Sequence, residues 1–464
     1  VRTVLPKTYR TILLNRVAME SVLSRAPMEF SKSPEEGNVQ IELPLPEGGF
    51  ARFLVVESPI LPPKLAQKYP SIRTYSIQGI SDPTSTGRIE LTPLGFRGIV
   101  VTDQGRGSFA IDPYWQNNPQ GNLSYYLKDA GLRTGNCLTP PPSARQMQKS
   151  ASSSIGVVPM AIGNNSGTTW GGGSVRLVRL AVACSGEFSQ QVSNVSGTTP
   201  GNLTTTLIFI TGSVNRISAI LERDFGLRFQ LVEAEDSIIF LDPATDPYPA
   251  LLNHNGNTAA LAQANQSTID SKIGSSNYEF GHLFVGDTVS WGESTGSIYG
   301  SVFGILGDDS RKAMCISARG STDFSRFNFD LLVAHEMGHG LNANHTFSDR
   351  YEGTGAQVEP GSGSTIMSYA GITPTGNLQG DADGYYSAKS LEQMITYASS
   401  SPGNAAYQTI ANANVAPSLS PLRDYTIPAQ TPFVLTAFAT DSNGDSLTYC
   451  WEEMDSALAA KDPA

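Results

Sequence analysis

The stretch "LLVAHEMGHGLNANHTF", residues 331–347, holds three of the five histidines of a 464-residue chain. Apolar residues precede the first histidine and no proline interrupts, so the segment reads as a helix. His335 and His339 are four apart and share one helical face, about 6 Å from each other. Two imidazoles need that spacing to reach a single Zn²⁺ at roughly 2.0–2.1 Å each. Glu336 lies about 100° around the helix from His335. It flanks such a metal, within reach of a water the metal activates. On a continued helix His345 would point away, about 240° from His339. To join the site, the chain must leave the helix between them. Asn342, a residue able to take positive φ, stands at the required place, and Gly340 is expected to loosen the helix end.

A chain of this length exceeds one core, and two or three domains are expected. Runs such as "TLIFI" and "GIVV" fall far short of the roughly 18–20 apolar residues of a membrane span. A net charge of −11 with scattered basic residues argues against nucleic-acid or anionic-membrane partners. Only 16% of residues are charged, and Gly, Ser, Thr and Asn are abundant, a composition that suits a secreted protein. Residue 1 is Val and no signal-type segment follows it, so a signal peptide was trimmed or never present. The four cysteines form no CxxC, which sets thiolate structural zinc aside and leaves disulfides open.

Residues 1–137 read as a β-rich module: "FARFLVVES", "GRIELTPLGFRGIVVTD" and "GSFAIDPYW" are strand-like, and "LPPKLAQKYP" suits a short helix. Residues 138–174 are Pro-, Ser- and Gly-rich and read as an exposed linker, with Arg145 and Lys149 open to a processing protease. From 175 to 412 the pattern is α/β. Apolar residues at Leu203, Leu207, Ile210, Val214, Ile217 and Leu221 predict a long amphipathic helix over 203–225. Strands are expected in "VRLVRLAVACS", "RFQLVEA", "SIIFL", "GHLFVGD" and "AMCISA", and helices in "ALAQANQSTIDSKIG" and near 388–400. Cys184 and Cys315, both in expected strands, are a candidate disulfide. From 415 to 464, alternating β-formers around "DSNGDS" predict the first strands of a truncated β-sandwich.

"HEMGHGLNANH" resembles the extended zinc motif HExxHxxGxxH of the metzincin peptidases, and "GSTIMSYAG" is similar to their Met-turn. Within that group the chain most resembles bacterial secreted reprolysin-like, or adamalysin-related, metallopeptidases, through "HTFSD", "SLEQMITY", "VNRISAILERDFGLRFQLV" and "LDPATDPY". Residues 53–98 look like the propeptide of such proteins, and 424–455 like the opening of the Ig-like modules that often follow. Two positions depart from the pattern: Asn342 stands for Gly, and Thr346 stands where adamalysins usually place Asp.

The resemblance implies an α/β (α+β) metzincin domain with a twisted mixed sheet, an active-site helix, and an edge strand above the zinc that receives an extended substrate. It implies one catalytic Zn²⁺ on His335, His339 and His345, with Met367 as a floor beneath them. Glu336 would be the general base of a secreted zinc endopeptidase acting on protein or peptide substrates. Tyr369 matches the position of the zinc-proximal tyrosine of astacin-like and serralysin-like relatives and could support the oxyanion. Likeness to metzincin zymogens suggests that Cys137 supplies a fourth, inhibitory ligand, its thiolate favoured by Arg133. Other readings stay open. Glu352 or Glu359 would be the third ligand in a gluzincin arrangement, and a binding or adhesion protein could carry a decayed peptidase domain. His254 and His282 have no partner at ligand spacing and read as structural. Asp441, Asn443 and Asp445 could offer oxygens to Ca²⁺, but lack the closing Glu of an EF-hand loop and read better as a polar turn. Oligomeric state is not encoded in any feature found.

Overall fold

The computed structural model describes residues 6–31, 39–102, 107–115, 118–130, 135–137, 139, 173–249, 257–287, 298–320, 326–349, 352–373 and 376–455. Arg133, Arg145, Lys149 and His254 lie outside them, as does most of the expected linker.

The N-terminal residues form one antiparallel sheet of eight strands: β1 (Arg10–Leu13), β2 (Gln40–Pro44), β3 (Phe50–Glu57), β4 (Arg73–Gly79), β5 (Thr86–Thr92), β6 (Gly95–Val101), β7 (Phe109–Trp115) and β8 (Asn118–Tyr126). Strands β2 to β8 pair in chain order, and β1 closes the far edge against β8. Helices α1 (Arg16–Leu23) and α2 (Pro63–Lys68) accompany it. The expected strands and short helix are therefore present; β1 and α1 carried no clear signal.

The second sheet has the order β11-β10-β12-β14-β13-β9. Strands β10 (Ser174–Cys184), β11 (Leu227–Leu231), β12 (Phe280–Asp287) and β14 (Cys315–Gly320) run parallel, and β13 (Ile298–Val302) is antiparallel to β14. β15 (Gln408–Ala411) pairs antiparallel with β10. The outermost strand on the β13 side, β9 (Gly135–Cys137), comes from the end of the N-terminal module and runs parallel to β13. The sheet is thus mixed and mostly parallel, as expected. "SIIFL" is not a strand: Glu235–Ser237 is a 3₁₀ turn, and Ile239 makes a single bridge to Cys184.

Helices α3 (Gly186–Ser193), α4 (Leu203–Phe225), α5 (Thr258–Lys272), α6 (Arg326–Gly340) and α7 (Ala388–Ala398) complete the domain. α4 begins where the Asn202 side chain accepts from Thr205 N–H and ends on Gly226 at φ 62°. It is not amphipathic in the expected sense. Every residue from Thr206 to Leu221 is buried, because α4 lies between the two sheets, touching β4, β5 and β6 on the N-terminal side and β11 on the other. By length and mean hydropathy it could span a membrane, but most of it is buried inside protein.

One expectation fails. Cys184 and Cys315 are buried cysteines that are not joined in a disulfide. β12 stands between their strands, which puts the backbones about 10 Å apart, beyond the reach of an S–S bond. Over 412–455 the described residues form only the two-residue ladder of β16 (Ser418–Leu419) and β17 (Ala439–Thr440), without a second sheet to pack on. Phe433, Val434 and Phe438 consequently stay exposed. The Asp441 carboxylate accepts from the N–H groups of Asn443 and Asp445, making "DSNGDS" a self-bonded turn.

Candidate metal centre

Helix α6 delivers His335, Glu336 and His339, all buried. It stops as the spacing demanded. Asn342 has φ 72°, Asn342 N–H bonds His339 C=O at 2.9 Å, and Ala343 N–H reaches back to Gly338 C=O at 2.9 Å. That pair of bonds is a Schellman stop with asparagine in the left-handed position. Gly340 does not loosen the end. It is the last helical residue, and a Cβ there would fall 2.2 Å from the Phe280 ring, so its smallness serves packing.

Past the stop, His345 returns to the other two. His339 Nε2 and His345 Nε2 are 3.0 Å apart. The opposite nitrogens are all engaged: His335 Nδ1 with Ile366 C=O at 2.7 Å, His339 Nδ1 with Ala343 C=O at 2.8 Å, and His345 Nδ1 with Glu352 Oε2 at 2.8 Å. Such bonds fix ring orientation and leave the Nε2 atoms for a shared ion. Cys137 completes the group. Its Sγ is 3.5 Å from His339 Nε2 and 3.7 Å from Glu336 Oε2, and one donor atom from each of Cys137, His335, His339 and His345 lies within 4.8 Å of the others. Three imidazoles and a thiol at these separations suit tetrahedral Zn²⁺, whose ligand atoms sit about 3.3–3.7 Å apart. Burial, and after it the Glu336 carboxylate, push the Cys137 thiol well above the ordinary cysteine range. The cation expected to help it, Arg133, is outside the described residues.

Met367 is buried beneath the helix, and a Cβ on Gly338 would fall 2.4 Å from its Sδ. Tyr369 stacks on Phe347 at 4.2 Å, meets His345 edge-on, and donates its hydroxyl to Cys137 C=O at 3.0 Å. The two alternative ligands are elsewhere: Glu352 backs His345 on the side away from the cluster, and the Glu359 carboxylate accepts from Thr346 Oγ1, Thr365 Oγ1 and the N–H groups of Ser364 and Thr365. Glu359 thereby ties the loop of Met367 to Thr346, the position where the pattern has Asp. His282 is buried against Ser317 Oγ at 2.8 Å, far from any ligand role, and burial lowers its pKa to about 3.

Sequence reasoning missed two residues. Thr139 Oγ1 donates to Glu336 Oε2 at 3.0 Å and accepts from Val302 N–H at 3.0 Å. Gly300 on β13 lies so close to Glu336 that a Cβ would meet its carboxyl carbon at 2.3 Å. "CLT" offered no signal for the first, and a glycine inside a strand was the only one for the second.

A helix presenting two histidines and a glutamate, a tight turn to a third histidine, and a methionine beneath them define a metallopeptidase domain. Residues 174–398 match the reprolysin-like metallo-peptidases of family M12B. The chain therefore carries a reprolysin-like zinc metalloendopeptidase domain. It is also similar to the crystal structure of metalloproteinase-II from Bacteroides fragilis, with a TM-score of 0.40 at 10% identity, covering 82% of this chain and 94% of that one. That likeness is too distant to fix any detail. No curated protein matches the chain.

Proposed function

We propose that the chain is a latent zinc endopeptidase in which His335, His339 and His345 hold the metal, Glu336 is the general base, and Cys137 closes the fourth position until the linker is cut. The convergence of Cys137 Sγ with the three imidazole nitrogens is the observation that supports this reading most directly. A bound Zn²⁺ supplies the Lewis acidity that polarises a scissile carbonyl and makes water nucleophilic near neutral pH.

The chain's own residues do the rest. Glu336, buried beside the cluster, takes the proton from the attacking water and returns it to the leaving amine, so the peptide bond breaks with no net change in the enzyme. Tyr369, freed from Cys137 C=O once 135–139 departs, donates to the developing oxyanion. β13, relieved of β9, offers its edge to an extended substrate. The low charge and the Gly, Ser, Thr and Asn content support a secreted enzyme.

Metal analysis and peptide cleavage test the assignment together. The wild-type chain is expected to carry about one Zn²⁺. Glu336→Ala should keep the metal and lose cleavage of the processed enzyme by several orders of magnitude. Cleavage at the wild-type rate in that variant would remove Glu336 from the mechanism. Metal retained at wild-type affinity by His345→Ala would remove the third ligand.

A further inference from the structure

A helix on a domain surface hides one face. α4 hides all of them between Thr206 and Leu221, so protein must lie on opposite sides of it, and one side is the N-terminal sheet. The two halves share a single hydrophobic cluster: Ile60, Ile99 and Tyr125 from the N-terminal half join Leu207, Val214 and Ile217 of α4. Polar groups fix the register of that contact. Arg88 of β5, only 1% exposed, donates to Asn215 Oδ1 and Glu222 Oε1 of α4 at 2.7 Å each. Asp112 of β7 pairs with Arg216 of α4, and Glu29 accepts two bonds from Arg228 of β11 at 2.6 and 2.9 Å. Leu231 N–H of β11 bonds Ile60 C=O at 3.0 Å. β11 and β13 lie towards opposite edges of the catalytic sheet. This contact thus uses the opposite edge of the sheet from the β9 pairing, although Arg216 also reaches Asp330 of α6 at 3.7 Å.

We propose that the N-terminal domain, residues 6–130, is a permanent subunit of the protease: a cut between residues 139 and 173 leaves it bound, and only the 135–139 segment has to leave the cleft. Buried ion pairs return roughly what their desolvation costs. The hold therefore comes from apolar burial, and the charges supply register. Departure of the domain would bare one long side of an Ile-, Leu- and Phe-bearing helix to water. The inference rests on the latent-enzyme reading only in placing the cut within the linker.

The test uses the full chain with Glu336→Ala, so that the fragments survive, and with the recognition sequence of a specific protease placed among residues 150–160. After cutting, size exclusion with light scattering is run at micromolar and nanomolar protein, and in molar salt. Both fragments should travel together at close to the 49.5 kDa of the uncut chain, and Cys137→Ser should not change this. Two separate species overturn the proposal, as does a catalytic fragment that aggregates while the N-terminal fragment stays in solution. Separation only in Cys137→Ser also overturns it, since the hold would then belong to the cleft. An uncut chain with Glu336 intact that is already fully active would sink latency, and co-elution would stand apart from it.

Discussion

The N-terminal half touches the peptidase domain at two ends of one sheet, and the two contacts use different chemistry. At the β11 end, β4 to β7 lie on α4 through a shared apolar core threaded by buried ion pairs. At the β13 end, β9 makes a short backbone ladder, the Cys137 thiol lies against His339, and the Thr139 hydroxyl bonds Glu336 and Val302 N–H. The first spreads its free energy over many side chains and is insensitive to any exposed one. The second concentrates its effect in two atoms. On the proposed latent-enzyme reading, the small local contact is the latch and the broad one is the hold that persists.

Removing one partner of a fully buried pair should show the largest effect. Asp112→Ala takes from Arg216, which is 3% exposed, its nearer carboxylate, leaving Asp330 at 3.7 Å, and takes from the buried Tyr125 hydroxyl its acceptor. A loss of about 3–5 kcal/mol in the denaturation of the uncut chain is expected; a loss below about 1 kcal/mol would show that the contact at α4 is not built on that pair. Cys137→Ser should leave stability nearly unchanged yet raise peptide cleavage by the uncut chain at least tenfold, since an alcohol is a poor zinc ligand. Unchanged latency would assign closure of the cleft to other contacts. Thr139→Val removes the bonds to Glu336 and Val302 together and should raise the same activity about tenfold or less, in line with about 1.5 kcal/mol for a hydrogen bond to a charged group. An effect exceeding that of Cys137→Ser would make the hydroxyl the principal lock. The smallest effect belongs to Lys64, whose pair with Glu233 is exposed at the rim of the α4 contact. Lys64→Ala should shift stability by under about 0.5 kcal/mol, and a larger change would show that the rim holds more than exposure implies.

What the sequence disclosed follows the range of the forces involved. The histidine spacing, the positive φ of Asn342 and the extent of α4 are set by residues within a turn or two, and all were legible. The partner of Glu336 in Thr139 is 197 residues away, and no local pattern encodes such a meeting. α4 is the instructive intermediate. Its apolar stripe was counted correctly, but Ile208, Phe209, Ala219 and Ile220 off that stripe are buried too, and these already announced a helix covered on both sides. The disulfide expectation failed because strand membership does not give strand order, and order alone separates Cys184 from Cys315. Glu352 and Glu359 drew notice as carboxylates near the motif; only the fold sends one to a histidine and the other to the loop of Met367.

The close approach of Gly300 and Glu336 has a consequence for how this strand can vary. Strands near the rim of a sheet usually tolerate change better than those at its centre. Position 300 has no such freedom: alanine, the smallest replacement, would claim the volume of the carboxyl group. The site of strictest selection on β13 should therefore carry no functional group at all. A saturation library screened for peptide cleavage would find it as a gap in tolerance, visible only by what it refuses.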